Sequence, residues 1–168
     1  MVIRLFAVVM ALVVPFAHAL GQGGTPNLIG TWQFVSRVDR DAAGHEWVEP
    51  TLGRSPLGFL IYDAGGHVAA QLMARGRHPG ACSEQSASIS GNSTSICGYD
   101  AYFGRYELDV AKSTVTHVLE GSLSPTDVGK RLSRRYRVAG DTLTLAFETT
   151  GVAGRRVTRT LVLHRISP

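Results

Sequence analysis

Lys130-Arg131-Leu132-Ser133-Arg134-Arg135-Tyr136-Arg137-Val138-Ala139-Gly140-Asp141-Thr142-Leu143-Thr144-Leu145-Ala146-Phe147 alternates twice about one turn. Leu132, Arg134, Tyr136 and Val138 share one phase, and Arg131, Ser133, Arg135 and Arg137 the other. After Ala139-Gly140-Asp141 the pattern resumes with Leu143, Leu145 and Phe147, separated by Thr142, Thr144 and Ala146. A period of two places alternate side chains on opposite faces of a strand, so one face is apolar and one is wet. Two such runs about a glycine-containing turn read as an antiparallel hairpin.

The same reading extends in both directions. Downstream, Gly151–Gly154 turns the chain into Val157–Arg165, with Leu161, Leu163 and Arg165 in phase. Upstream, Val115, His117 and Leu119 form one strand. Ala111-Lys112-Ser113 links it to a run carrying Tyr102, Tyr106, Leu108 and Val110. Gly58–Tyr62 and His67–Met73 flank Asp63-Ala64-Gly65-Gly66, whose glycines supply the positive φ of a tight hairpin. The first run is Leu28–Val35, with Leu28, Gly30, Trp32 and Phe34 in one phase, and Thr51–Pro56 reads as a turn-rich loop. No helical period of useful length follows the first 19 residues. The count is eight strands, mostly with short connections. An all-β fold, an eight-stranded antiparallel up-and-down barrel, buries the apolar faces and removes the sheet edges. A two-sheet sandwich is the alternative architecture. A barrel of eight strands is either filled by side chains or holds one small ligand.

The amino-terminal end reads as an export signal over residues 1–19. Arg4 is the charged head, Leu5–Phe16 the apolar stretch, and Ala17-His18-Ala19 the small-x-small cleavage pattern. The apolar run falls short of the ~20 residues that span a bilayer, so no stable membrane insertion is expected after cleavage. Residues 20–26 read as a flexible linker and 27–168 as the barrel domain. Cleavage leaves about 150 residues, enough for one core. The full chain carries 17 Lys and Arg against 13 Asp and Glu, a net +4. That mild excess comes without basic stretches interleaved with aromatics, so nucleic acid is not an expected partner. The expected location is secreted or periplasmic, and no cytosolic cofactor such as NAD or ATP is expected there.

Cys82 and Cys97 are the two cysteines. In an oxidising compartment they are expected to form a disulfide around the polar, Ser-rich segment between them. Such a bridge would contribute about 3 kcal/mol by the loop-entropy argument. The histidines lack the spacing of a zinc site, so no metal is expected.

Polar residues lying in apolar phases are the candidate ligand contacts. His117 sits between Val115 and Leu119, and Arg134 between Leu132 and Tyr136. Tyr102 and Tyr106 share the phase of Leu108. Tyr62 and Gln71 join as candidates, although their strands are apolar in both phases, which leaves their direction open. His117 is either a hydrogen-bonded core histidine, a cavity contact, or an acid or base. A buried Arg134 needs an anion, supplied either by Glu120 or another acid, or by a ligand carboxylate or enolate. Arg131, Arg135 and Arg137 read as a solvated outer face.

The chain also resembles a known family. Leu28-Ile29-Gly30-Thr31-Trp32, Leu52-Gly53-Arg54-Ser55-Pro56-Leu57-Gly58, Ala101-Tyr102-Phe103-Gly104, Glu120-Gly121-Ser122-Leu123 and Gly140-Asp141-Thr142-Leu143-Thr144-Leu145 are similar to the lipocalin-like domain family of bacteria and fungi. The similarity runs over about residues 27–166 and departs at the Cys82–Cys97 insertion. It implies a lipocalin-like barrel with a cavity. It also implies structural roles for Trp32, which would plug the closed end, and for Arg165, which would pack over it. The expected function is binding of a small, largely apolar molecule. The alternatives are an isomerase or cyclase acting in the same cavity, and an envelope protein with a filled barrel.

Overall fold

In a computed structural model, residues 27–78, 87–89 and 94–168 are described. The export signal, the linker and Cys82 lie outside them. Among the described residues eleven strands form one antiparallel sheet. They are β1 (Gly30–Arg40), β2 (Glu46–Trp47), β3 (Leu57–Tyr62), β4 (His67–Met73), β5 (Ala87–Ile89), β6 (Thr94–Ile96), β7 (Tyr99–Asp109), β8 (Thr114–Ser122), β9 (Arg131–Ala139), β10 (Thr142–Thr150) and β11 (Arg156–Ser167). Eight of them close a barrel in the order β1-β3-β4-β7-β8-β9-β10-β11, with β11 returning to β1 and β4 pairing β7. The other three are short additions: β2 pairs β1, while β5 and β6 pair each other within the segment expected to be only loop.

The hairpin that set the expectation has the expected faces. Leu132, Arg134, Tyr136, Leu143, Leu145 and Phe147 are buried, and Arg131, Ser133, Arg135 and Arg137 are exposed. The first strand is longer than the alternation over Leu28–Val35 predicted. Its pairing with β11 shifts register between Phe34 and Ser36. An extra residue in one strand reverses every later side chain. Trp32 and Phe34 therefore face inward, and beyond the bulge Arg37 and Asp39 do so in place of Ser36 and Val38.

The two ends of the barrel are built differently. At one end Trp32 is fully buried, donates its indole N–H to the Leu28 carbonyl at 2.8 Å, and lies 4.0 Å beneath the Arg165 guanidinium. Arg165 also donates to the carbonyls of Ile29 and Asn27, tying the incoming chain across the indole. Gly30 is required there: its φ is +130°, and a Cβ would come within 2.8 Å of the Arg165 guanidinium.

The other end holds charge. Arg159 donates two bonds to Asp39, at 2.6 and 2.7 Å, with both side chains at most 2% exposed. Arg37 donates to Glu49 at 2.6 Å, also buried. Glu49 in turn accepts from the amides of Thr51 and Leu52. Those contacts fold the 49–54 segment over this end and bury Leu52.

Candidate functional site

The inward-facing polar residues of β3, β7, β8 and β9 meet in one cluster. His117 on β8 is fully buried. Its Nε2 lies 2.7 Å from the Tyr62 hydroxyl, and its Nδ1 lies 3.0 Å from the Tyr102 hydroxyl and 3.3 Å from Arg134 Nη1. A guanidinium only donates, so Nδ1 accepts and Nε2 carries the ring proton. Tyr62 then accepts from Nε2–H. Tyr102 accepts a bond from Arg134 Nη2 at 3.4 Å and donates its hydroxyl hydrogen bond to Nδ1. The resulting chain runs Arg134 to Tyr102 to His117 to Tyr62.

Burial, reinforced by the Arg134 charge, holds the His117 pKa well below the usual histidine range. Burial likewise raises the Tyr62 hydroxyl well above its ordinary value and raises that of Tyr102. His117 is therefore neutral, with both nitrogens engaged by protein. It orients the tyrosines and presents neither a free lone pair nor a proton to a ligand. A pH dependence follows. The unfolded chain binds a proton at His117 near pH 6.5, whereas the folded chain does so only at much lower pH. The contribution is complete above pH ~6.5 and falls as pH drops below it, by up to about 1.4 kcal/mol per pH unit. Urea unfolding at pH 7.5 and 5.5 should show this loss, and His117→Gln should flatten it. An unchanged slope in the variant would mean that another group titrates.

Arg134 is 4% exposed. Its Nη1 donates to the Leu132 carbonyl at 2.9 Å, and its guanidinium lies 5.1 Å above the Phe147 ring. Of the anions considered for Arg134, Glu120 is not its partner. Glu120 is on the outer face and accepts from Arg105 at 2.9 Å. Among the described residues no carboxylate lies within ion-pair distance of Arg134, in contrast to Arg37 and Arg159 at the charged end.

Two other candidates sit elsewhere. Gln71 is exposed on the outer face of β4, where it accepts from the Tyr99 hydroxyl. The phase ambiguity of that strand resolves with Val68, Ala70 and Leu72 inward, so Gln71 does not line the lumen. Tyr106 is half-buried; its ring meets Tyr62 edge-on at 5.0 Å, and its hydroxyl donates to the Asp63 carbonyl. It supports Tyr62 and directs no polar atom inward. Cys97 is buried and is not a free cysteine.

Among the described residues the cavity beside this cluster is small. A cavity of about 30 Å³ is lined by Phe34, Leu60, Leu72, Leu145, Leu161 and other apolar side chains, together with Arg37, Asp100, Tyr102, Arg134 and Arg159. That volume accommodates about one water molecule. His117 does not line it. The residues missed by sequence reading are Arg37, Asp39, Glu49 and Arg159. Arg159 had a visible signal, since it shares the phase of Val157, Leu161 and Leu163.

Among the described residues no cluster of His, Cys, Asp and Glu is arranged to hold a metal ion, and no helix is long and apolar enough to cross a membrane. A family model described as a lipocalin-like domain matches residues 29–165. No curated protein matches the chain. The match supports a barrel-type ligand-binding protein.

Proposed function

Because the chain belongs to the lipocalin-like domain family, we propose that it is an exported carrier whose lumen takes a small, largely apolar molecule by an anionic end. The observation that carries this reading is Arg134. A buried guanidinium without a carboxylate partner is costly, and a ligand carboxylate would supply the missing charge. Tyr102, already bonded to Arg134 and His117, would stand beside it. Phe34, Leu60, Leu72 and Leu161 offer the apolar wall for the rest of the molecule. Since this cavity has room for about one water, binding requires the Leu52 segment to swing aside and vacate space for the molecule as well as admit it, which breaks the Glu49–Arg37 contact.

Octanoate is a suitable probe, because it joins one carboxylate to an apolar tail. Calorimetric titration should give saturable binding, weakened at least tenfold by Arg134→Gln. Binding unaffected by that substitution, in a variant that still unfolds cooperatively, would show that Arg134 is not the anchor.

The 30 Å³ volume favours a second reading, a barrel filled by its own side chains with a structural role in the envelope. Absence of any octanoate binding would support it. The isomerase or cyclase reading would need His117 or a tyrosine to move a proton in the lumen. His117 is committed to Tyr62, Tyr102 and Arg134, and the Tyr102 hydroxyl, which does line the cavity, is held by His117 and Arg134 with its pKa raised by burial.

A further inference from the structure

The pairing of β9 with β10 stops early. It runs from Ala139–Thr142 to Arg135–Ala146, although β9 begins at Arg131 and β10 continues to Thr150. Residues 131–134 still pair with β8, and 147–150 still pair with β11. The barrel wall therefore forks between them. The Tyr136 amide points to the β8 side, donating to the carbonyl of Ser113, the residue before β8. Amide direction alternates along an antiparallel strand, so the Ser133 amide is directed into the fork.

A groove of about 410 Å³ occupies this fork. Its size is that of an ordinary small-molecule pocket, in contrast to the lumen. Arg131, Arg134, Arg135, Ser133, Phe147 and Glu148 are among its lining residues. Arg134 and Phe147 line the lumenal cavity as well, so they form the partition between the two spaces. The charge is lopsided. Glu148 is the groove's one carboxylate, and it is bound by Arg156. Glu107, outside the groove, holds Arg131 through both terminal guanidinium nitrogens, Nη1 and Nη2. Arg134 and Arg135 have no ion-pair partner among the described residues. They are consecutive on a strand and so point to opposite faces: one buried at the floor, one exposed at the rim.

We propose that the β9–β10 fork is a binding site for a small, polar organic dicarboxylate, one carboxylate at buried Arg134 and the other at Arg135. Two separated cations favour two separated anionic groups over one doubly charged centre. The site shares Arg134 with the lumenal reading above but takes a polar ligand from the side of the barrel and needs no opening of its end.

The test is titration with succinate at constant ionic strength, read on the arginine Nε–H resonances of the full chain. Saturable shifts are expected at Arg134 and Arg135 with none at Arg137, which is exposed on the same strand outside the groove. Arg135→Gln should weaken succinate about tenfold, and Arg137→Gln should not change it. Ser133→Trp, an exposed substitution that fills the groove without entering the core, should abolish binding while the unfolding midpoint is retained. Equal shifts at Arg137 would reduce the effect to screening and overturn the site. Inorganic phosphate binding as tightly as succinate would overturn the two-charge assignment. Octanoate keeps the two proposals apart, since its tail needs the lumen. Octanoate shifting the Leu60 and Leu72 methyls while succinate is inert defeats the fork alone. Succinate bound with octanoate inert defeats the lumenal reading alone and supports the fork.

Discussion

Arg159→Leu is expected to destabilise the protein by about 3–5 kcal/mol, the range for breaking a buried ion pair on one side. The substitution leaves the Asp39 carboxylate 1% exposed and without its two charge-assisted bonds. Neighbouring Arg37 remains as a compensating charge, which places the loss nearer the lower value. The double variant Asp39→Leu/Arg159→Leu should recover most of it, because replacing both ions with apolar groups removes the desolvation cost along with the attraction. Urea denaturation of the two single variants and the double variant measures this directly. A loss below about 1 kcal/mol for Arg159→Leu would mean that water reaches the pair.

Trp32→Ala should cost a similar amount, about 3–5 kcal/mol, by a different route. The indole is the largest fully buried side chain, and its removal leaves a cavity at the closed end. Arg165 loses the ring face beneath it, and with that the clamp over residues 27–29 loses its seat. Arg165→Ala should cost less, about 0.5–2 kcal/mol, since it removes a cation–π contact and leaves the core filled. Thermal unfolding of both variants tests the order. An Arg165→Ala variant as unstable as Trp32→Ala would shift the structural role from the ring to the arginine.

The barrel was legible because most of its strands alternate cleanly. From Leu132 to Phe147 every residue has the face that its phase predicts, and the same holds for His117 between Val115 and Leu119. The meeting of Tyr102, His117 and Arg134 follows from that phase, whereas Tyr62 lies on a strand apolar in both phases and its direction was open. What connects it, the order of donors and acceptors from Arg134 to Tyr62, depends on three-dimensional proximity that spacing does not encode. Arg37 and Asp39 were hidden by the bulge after Phe34, where one unpaired residue exchanges the inner and outer faces of the rest of β1. Glu49 was hidden because it lies in a loop, where no period applies. Gln71 was ambiguous because Val68, Ala69, Ala70, Leu72 and Met73 leave both faces of its strand apolar. The fork in the barrel wall had no signal at all, since β9 and β10 both continue their alternation past the point where they separate.

The charged end and the Arg134 cluster have different balances. At the charged end each arginine has its carboxylate. At Arg134 the protein supplies a carbonyl, a tyrosine, a histidine and an aromatic face, and among the described residues no carboxylate within ion-pair distance, although buried Asp100 lines the same cavity. The lumenal account turns on that difference. Native mass spectrometry of the protein purified gently from its own host tests it most directly. The account predicts a retained acidic adduct on the order of a few hundred daltons, absent from the Arg134→Gln variant. An unliganded mass from that source, together with no octanoate uptake at saturating concentration, would contradict it.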